Sequence, residues 1–202
     1  MKFRKSFVTN SSSSSFILSI SIETKNNDSI NFSASGGTPE SGRIDYFDED
    51  AIVTVSPKQL GTAKDVEELI VLLTEGVVDG CEWDTEIGTR IFEKSNPVSC
   101  LDYGNYNPET SDVVPEALFD AYDFIKEIRD KVKTMDDITK IIISGDEENY
   151  TQYCQTYTYD RTKDKYTGHV IGCEFEKDGA SGGVIIMPDL DECEIEYEDI
   201  DD

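Results

Sequence analysis

Phe16, Leu18, Ile20 and Ile22 occupy alternate positions with Ser19 and Ser21 between them, a period of two that predicts a half-buried strand. Lys25 to Asp28 reads as a turn, and Ile30 to Ser33 as the returning partner strand. Gly36, Gly37, Thr38 and Pro39 read as a polar loop, and Ala51 to Val55 as another strand. The period then lengthens. Val66, Leu69, Ile70 and Leu73 follow helical spacing, with Thr62 as the expected cap, Asp65 completing a capping box and Gly76 at the end. A second helix opens at Pro115 and carries the stripe Leu118, Ala121, Tyr122, Ile125, Ile128 and Val132. Its acids come early and its bases (Lys126, Arg129, Lys131, Lys133) late, as the helix dipole favours. Ile141 to Ile143 reads as a buried strand and Gly145 to Glu148 as an acidic turn. Tyr150 to Asp160, Tyr166 to Glu176 and Val184 to Met187 then read as a three-stranded meander. The expected class is α+β, a mostly antiparallel sheet with at least two packed helices and an acidic C-terminal tail. The expected division is a basic, serine-rich arm over 1–15, one domain over 16–188 and an acidic strand or tail over 189–202.

Charge changes this picture more than any motif does. The chain carries 43 Asp and Glu against 18 Lys and Arg, a formal net charge of −25 over 202 residues. Direct nucleic-acid binding is excluded as an expectation, because phosphate contacts need clustered Lys and Arg. The opposite relation is open: an acidic surface against a basic protein surface of the kind that binds nucleic acid. The interrupted N-terminal apolar stretch does not read as a signal peptide, and no apolar run reaches membrane-spanning length. The expected location is therefore cytoplasmic, with no membrane partner.

Little chemistry is offered. The five cysteines lie 19 or more residues apart with no CxxC, so neither a zinc knuckle nor a disulfide scaffold is expected. His169 is the single histidine; by alternation it shares a strand face with Ile171, Cys173 and Phe175, an apolar face that predicts a half-buried structural role. A His169–Cys173 nucleophile pair would have Ile171 between its members and no orienting third group. The acidic run from Asp189 fails as a calcium loop, because Cys193, Glu194 and Ile200 fall at ligand, glycine and closing-glutamate positions. The expectation is a non-enzyme with no cofactor and no metal.

The candidate contact residues are acidic. Glu192, Glu194, Glu196 and Glu198 alternate with Cys193, Ile195 and Tyr197 and are followed by Asp199. As a strand this segment would align its glutamates on one face about 6.8 Å apart, the arrangement of a protected edge strand or of a contact surface. Asp146, Glu147 and Glu148 form a second cluster. The tail alone gives one charge per roughly 5 Å of extended chain, against one per about 3.4 Å for a single nucleic-acid strand. Nucleic-acid mimicry would require surrounding carboxylates such as Asp45, Asp48, Glu49, Asp50, Asp146, Glu147 and Glu148 to converge on the same face.

Phe7-Val8-Thr9-Asn10, then Ser11 to Ser15 and Phe16, preceded by Lys2, Phe3 and Arg4, resembles a recurrent opening of uncharacterised bacterial and phage proteins. Those proteins carry serine where this chain has Thr9. The resemblance covers about 17 residues and implies a bacterial or phage origin, with no functional residue carried over. Two functions are then expected. One is an acidic interaction protein, a phage-type inhibitor such as an anti-CRISPR-like nucleic-acid mimic. The other is a bacterial protein whose serine motif is recognised or modified, with acidity serving solubility.

Overall fold

In the computed structural model, residues 15–37, 50–80, 116–148, 152–172, 184–186 and 192–199 are described below. Among these described residues, nine strands and three α-helices run in the order β1 (Ser15–Thr24), β2 (Ser29–Gly37), β3 (Asp50–Val53), α1 (Pro57–Gly61), α2 (Val66–Gly76), β4 (Val77–Gly80), α3 (Glu116–Lys131), β5 (Ile138–Glu148), β6 (Gln152–Asp160), β7 (Lys165–Gly172), β8 (Val184–Ile186) and β9 (Glu194–Asp199). The larger sheet has the order β2-β1-β5-β6-β7-β9, antiparallel except for the parallel β7–β9 pair. A smaller sheet has the order β4-β3-β8, with β8 parallel to β3. The α+β class is as the periodicity indicates.

Alternation decides which face of the large sheet is covered. Leu18, Ile20, Ile22, Ile30, Phe32, Ile141, Ile143, Tyr157, Tyr159, Tyr166 and Val170 are buried on one face, where helices pack. Ser19, Ser21, Asn31, Ser144, Thr156, Thr158 and Thr167 fall at the intervening positions and make the other face polar. Hydroxyls and an amide pair across it, with Ser21 donating to Asn31 Oδ1 at 2.8 Å and Thr156 donating to Ser144 at 3.1 Å. This is the one-sided burial typical of an antiparallel sheet.

Several expectations require correction. The turn over Gly145 to Glu148 is the second half of β5, and Gly36 and Gly37 end β2 rather than forming a loop. Val184 to Ile186 does not complete a meander; it joins the smaller sheet, and β9 takes the place beside β7. Asp65, not Thr62, caps α2, accepting from the Glu68 amide at 2.8 Å. Thr62 instead ends α1, a short helix opened by a Ser56 capping box with Gln59. Gly61 lets α1 lie flat on β6, because a methyl group there would come within 2.3 Å of the Tyr159 ring. On α3 the buried residues include Phe124, which the expected stripe omits; its ring lies 5.6 Å from that of Phe32.

The β6–β7 turn is fixed by Asp160. Its Oδ1 accepts from the amides of Thr162 and Lys163, and its Oδ2 lies 2.8 Å from Lys163 Nζ. The Lys163 ammonium and the Thr162 hydroxyl hold the carboxyl down at about 2. A depressed carboxylate pKa contributes stability that is complete above the unfolded value and lost as pH falls through the folded one. Asp160→Asn should therefore melt below the parent at pH 6, and the gap should close between about pH 4 and pH 2. A gap that persisted at pH 2 would mean that the carboxylate charge is not what stabilises this turn.

Candidate acidic docking surface

β9 is held in place by its alternate residues. Ile195 and Cys193 are partly buried against the core, and Gly168 of β7 makes room there: a methyl group on it would come 2.7 Å from the Tyr157 ring and 3.2 Å from Ile195. With those positions turned inward, Glu194, Glu196 and Glu198 align on the polar face, beside Thr167, His169 and Ile171 of β7. Their side chains are 74, 84 and 65% exposed, so all three carboxylates stay available to a partner. At the rise of a parallel strand they stand about 6.6 Å apart.

The column is not bare. Lys165 Nζ lies 3.0 Å from Glu194, and His169 sits between Glu196 and Glu198, with Nδ1 3.9 Å from one carboxylate and Nε2 3.4 Å from the other. Glu192 precedes the strand and pairs with Lys58 of α1. Four glutamates thus meet two lysines, a local balance of −2 while His169 is neutral. These exposed pairs contribute little to stability, and each competes with an external cation.

His169 is half-buried as expected, but the face on which it lies is corrected here. Tyr166, Gly168 and Val170 face the core, whereas His169 lies on the polar face with its side chain 41% exposed. The alternation placed it correctly with Ile171 but took the wrong face as the apolar one. Cys173 and Phe175 lie outside the described residues.

Backbone register relates the two acidic clusters. Asp146 pairs with Cys154, Cys154 with Ile171, and Ile171 with Glu198, so Asp146 and Glu198 occupy one row across the sheet. Three strand spacings separate them, about 14 Å. Glu148 has the same parity as Asp146, whereas Glu147 has the opposite one. Asp199 ends β9 at the parity of Ile195 and Tyr197. The candidates therefore do not all share a face. Asp45, Asp48 and Glu49 lie outside the described residues.

Chemistry beyond charge is sparse. Cys154 is on the polar face and Cys193 on the inner one, so the two do not bridge. Burial pushes the Cys193 thiol above its ordinary pKa, which disfavours the reactive thiolate. No group of three or more His, Cys, Asp or Glu suited to a metal occurs among the described residues, and no described helix is long and apolar enough to cross a membrane. The chain matches no protein-family model, no curated protein and no solved structure.

Proposed function

We propose that this is a non-enzymatic, acidic interaction protein whose β9 column docks on a basic protein surface. The observation that carries the reading is the parity of β9: Ile195 packs against the core, and Glu194, Glu196 and Glu198 stand exposed in line on the opposite face, although Tyr197 at the parity of Ile195 is itself exposed. The overall charge of −25 supports it, because a field of that size steers cationic partners and raises their association rate. A nucleic-acid-binding partner is the finer form of the proposal, supported by the placement of Asp146 and Glu198 in one row of the sheet. A phage-type inhibitor of such a partner would act by occupying its basic groove.

The test is capture of bacterial proteins at low salt by the intact chain and by a variant with Glu192, Glu194, Glu196 and Glu198 all changed to Gln. The parent should retain a Lys- and Arg-rich protein that duplex DNA or RNA displaces and that rising salt releases, since screening shortens to about 3 Å at 1 M. The variant should bind at least about tenfold more weakly, chiefly through slower association. Retention indifferent to salt, or equal in the variant, would remove the β9 column as the contact surface.

A further inference from the structure

His169 stands within the acidic column. Its ring reaches from β7 to two carboxylates of β9, with Nδ1 3.9 Å from Glu196 and Nε2 3.4 Å from Glu198. The register explains the span: His169 lies opposite Glu196, and Glu198 is the next residue of β9 on the same face. A neutral imidazole adds no charge there. An imidazolium places a cation against both carboxylates and changes the local balance from −2 to −1. Histidine is the side chain whose ordinary titration falls between pH 5 and 8.

The groups that face His169 among the described residues come from three strands. On β9 they are Glu194, Glu196 and Glu198. On β7, Lys165 is four residues away and pairs with Glu194. On β6, Thr156 sits opposite, flanked on its face by Thr158 and Cys154, and Asp160 at the strand end is paired with Lys163. Lys165 therefore serves Glu194, while the ion pairs of Glu196 and Glu198 run to His169. A basic partner and a proton then compete for the same two carboxylates. Each occupant weakens the other by the same factor, because linkage between two binding equilibria is reciprocal.

We propose that protonation of His169 switches the β9 column off: the imidazolium takes Glu196 and Glu198 as its own ion pairs, and the column releases its basic partner as pH falls. This rests on the acidic docking reading above and adds the regulation of that surface. Charge fixes the sign. A cation seated on Glu196 and Glu198 opposes a second cation at His169, so binding expels the proton and is tightest where the imidazole is neutral.

The probe is the peptide acetyl-Lys-Arg-Lys-Arg-Lys-amide, titrated into the full chain by calorimetry at pH 7.5, 6.5 and 5.5 and one low ionic strength. Two buffers of different ionisation enthalpy at pH 6.5 report protons released on binding. The comparison chains are His169→Gln, which never carries the charge, and His169→Lys, which always does. The parent should bind about threefold or more weakly at pH 5.5 than at pH 7.5, the scale of exposed ion pairs, and release protons at pH 6.5. His169→Gln should lose most of that pH dependence together with the proton release. His169→Lys should bind at pH 7.5 as weakly as the parent does at pH 5.5. Equal pH dependence in the parent and His169→Gln would overturn the switch while leaving the acidic surface standing. So would His169→Lys binding as tightly as the parent at pH 7.5. No binding to any of the three chains at millimolar peptide would remove the docking surface and the switch with it.

Discussion

Phe124→Ala should cost about 3–5 kcal/mol, the range for deleting a buried aromatic ring. Phe124 is 2% exposed on α3, and its ring packs tilted against Phe32 of β2, a pairing worth a further 0.5–1.5 kcal/mol or so beyond area alone. α3 packs against β2, so removing the ring opens a cavity at that contact. Typical domains hold only about 5–15 kcal/mol in total, and self-repulsion at −25 draws on that margin. The variant should therefore be largely unfolded at low ionic strength and regain structure as salt rises, because salt screens the repulsion without refilling the cavity. Val71→Ala, at a position 49% exposed, should stay within about 0.5 kcal/mol of the parent. Urea midpoints at low and high salt measure all three chains. A Phe124→Ala midpoint within the error of Val71→Ala would show that α3 does not contribute to the core as its packing implies.

The omission of Phe124 from the sequence reading shows where periodicity stops being sufficient. The stripe through Ala121, Ile125 and Ile128 is a correct helical face, but a buried face is wider than one stripe, and Phe124 lies at its margin. The β1–β2 hairpin was legible because its alternation and its turn agree; Asn27 there adopts φ 63°, a conformation asparagine tolerates. The cap of α2 was ambiguous because Thr62–Asp65 and Asp65–Glu68 both fit the same local rule. The choice depended on α1, whose five residues carry too little pattern to be seen. Partner choice between strands was the larger loss. Val184 to Ile186 and Glu194 to Asp199 each read as strands, yet nothing local says that the first pairs with β3 and the second with β7. The alignment of the β9 glutamates was legible in the sequence. Their lysine and histidine neighbours, and the face on which His169 lies, depended on that long-range pairing.

Alkaline pH should unfold the protein steeply, and two phenols on the covered face should account for much of the slope. Tyr159 is 5% exposed; burial, with its hydroxyl donating to Asp164 at 2.7 Å, pushes its pKa up to about 12. Tyr166 is 4% exposed, and burial raises it further, with the nearby Cys193 adding to the shift; its hydroxyl has no hydrogen-bond partner among the described residues. An unfolded tyrosine releases its proton near pH 10. The folded state keeps both protons above that point, so the unfolded state binds fewer and stability falls as pH rises. The loss is about 1.4 kcal/mol per pH unit for each phenol, roughly 2.7 for the pair, beginning near pH 10 and ending for Tyr159 near 12. Phenylalanine substitutions separate this from the titration of lysines. Tyr159→Phe should be about 1 kcal/mol less stable than the parent at pH 7, through the lost bond to Asp164, and more stable above roughly pH 11. Tyr166→Phe removes a buried hydroxyl without a partner, so it should be neutral or stabilising at pH 7 and gain on the parent throughout the alkaline range. Guanidinium unfolding from pH 7 to 11.5 reads both curves. Curves that stayed parallel to the parent above pH 10 would show that these hydroxyls are not buried as neutral groups in solution.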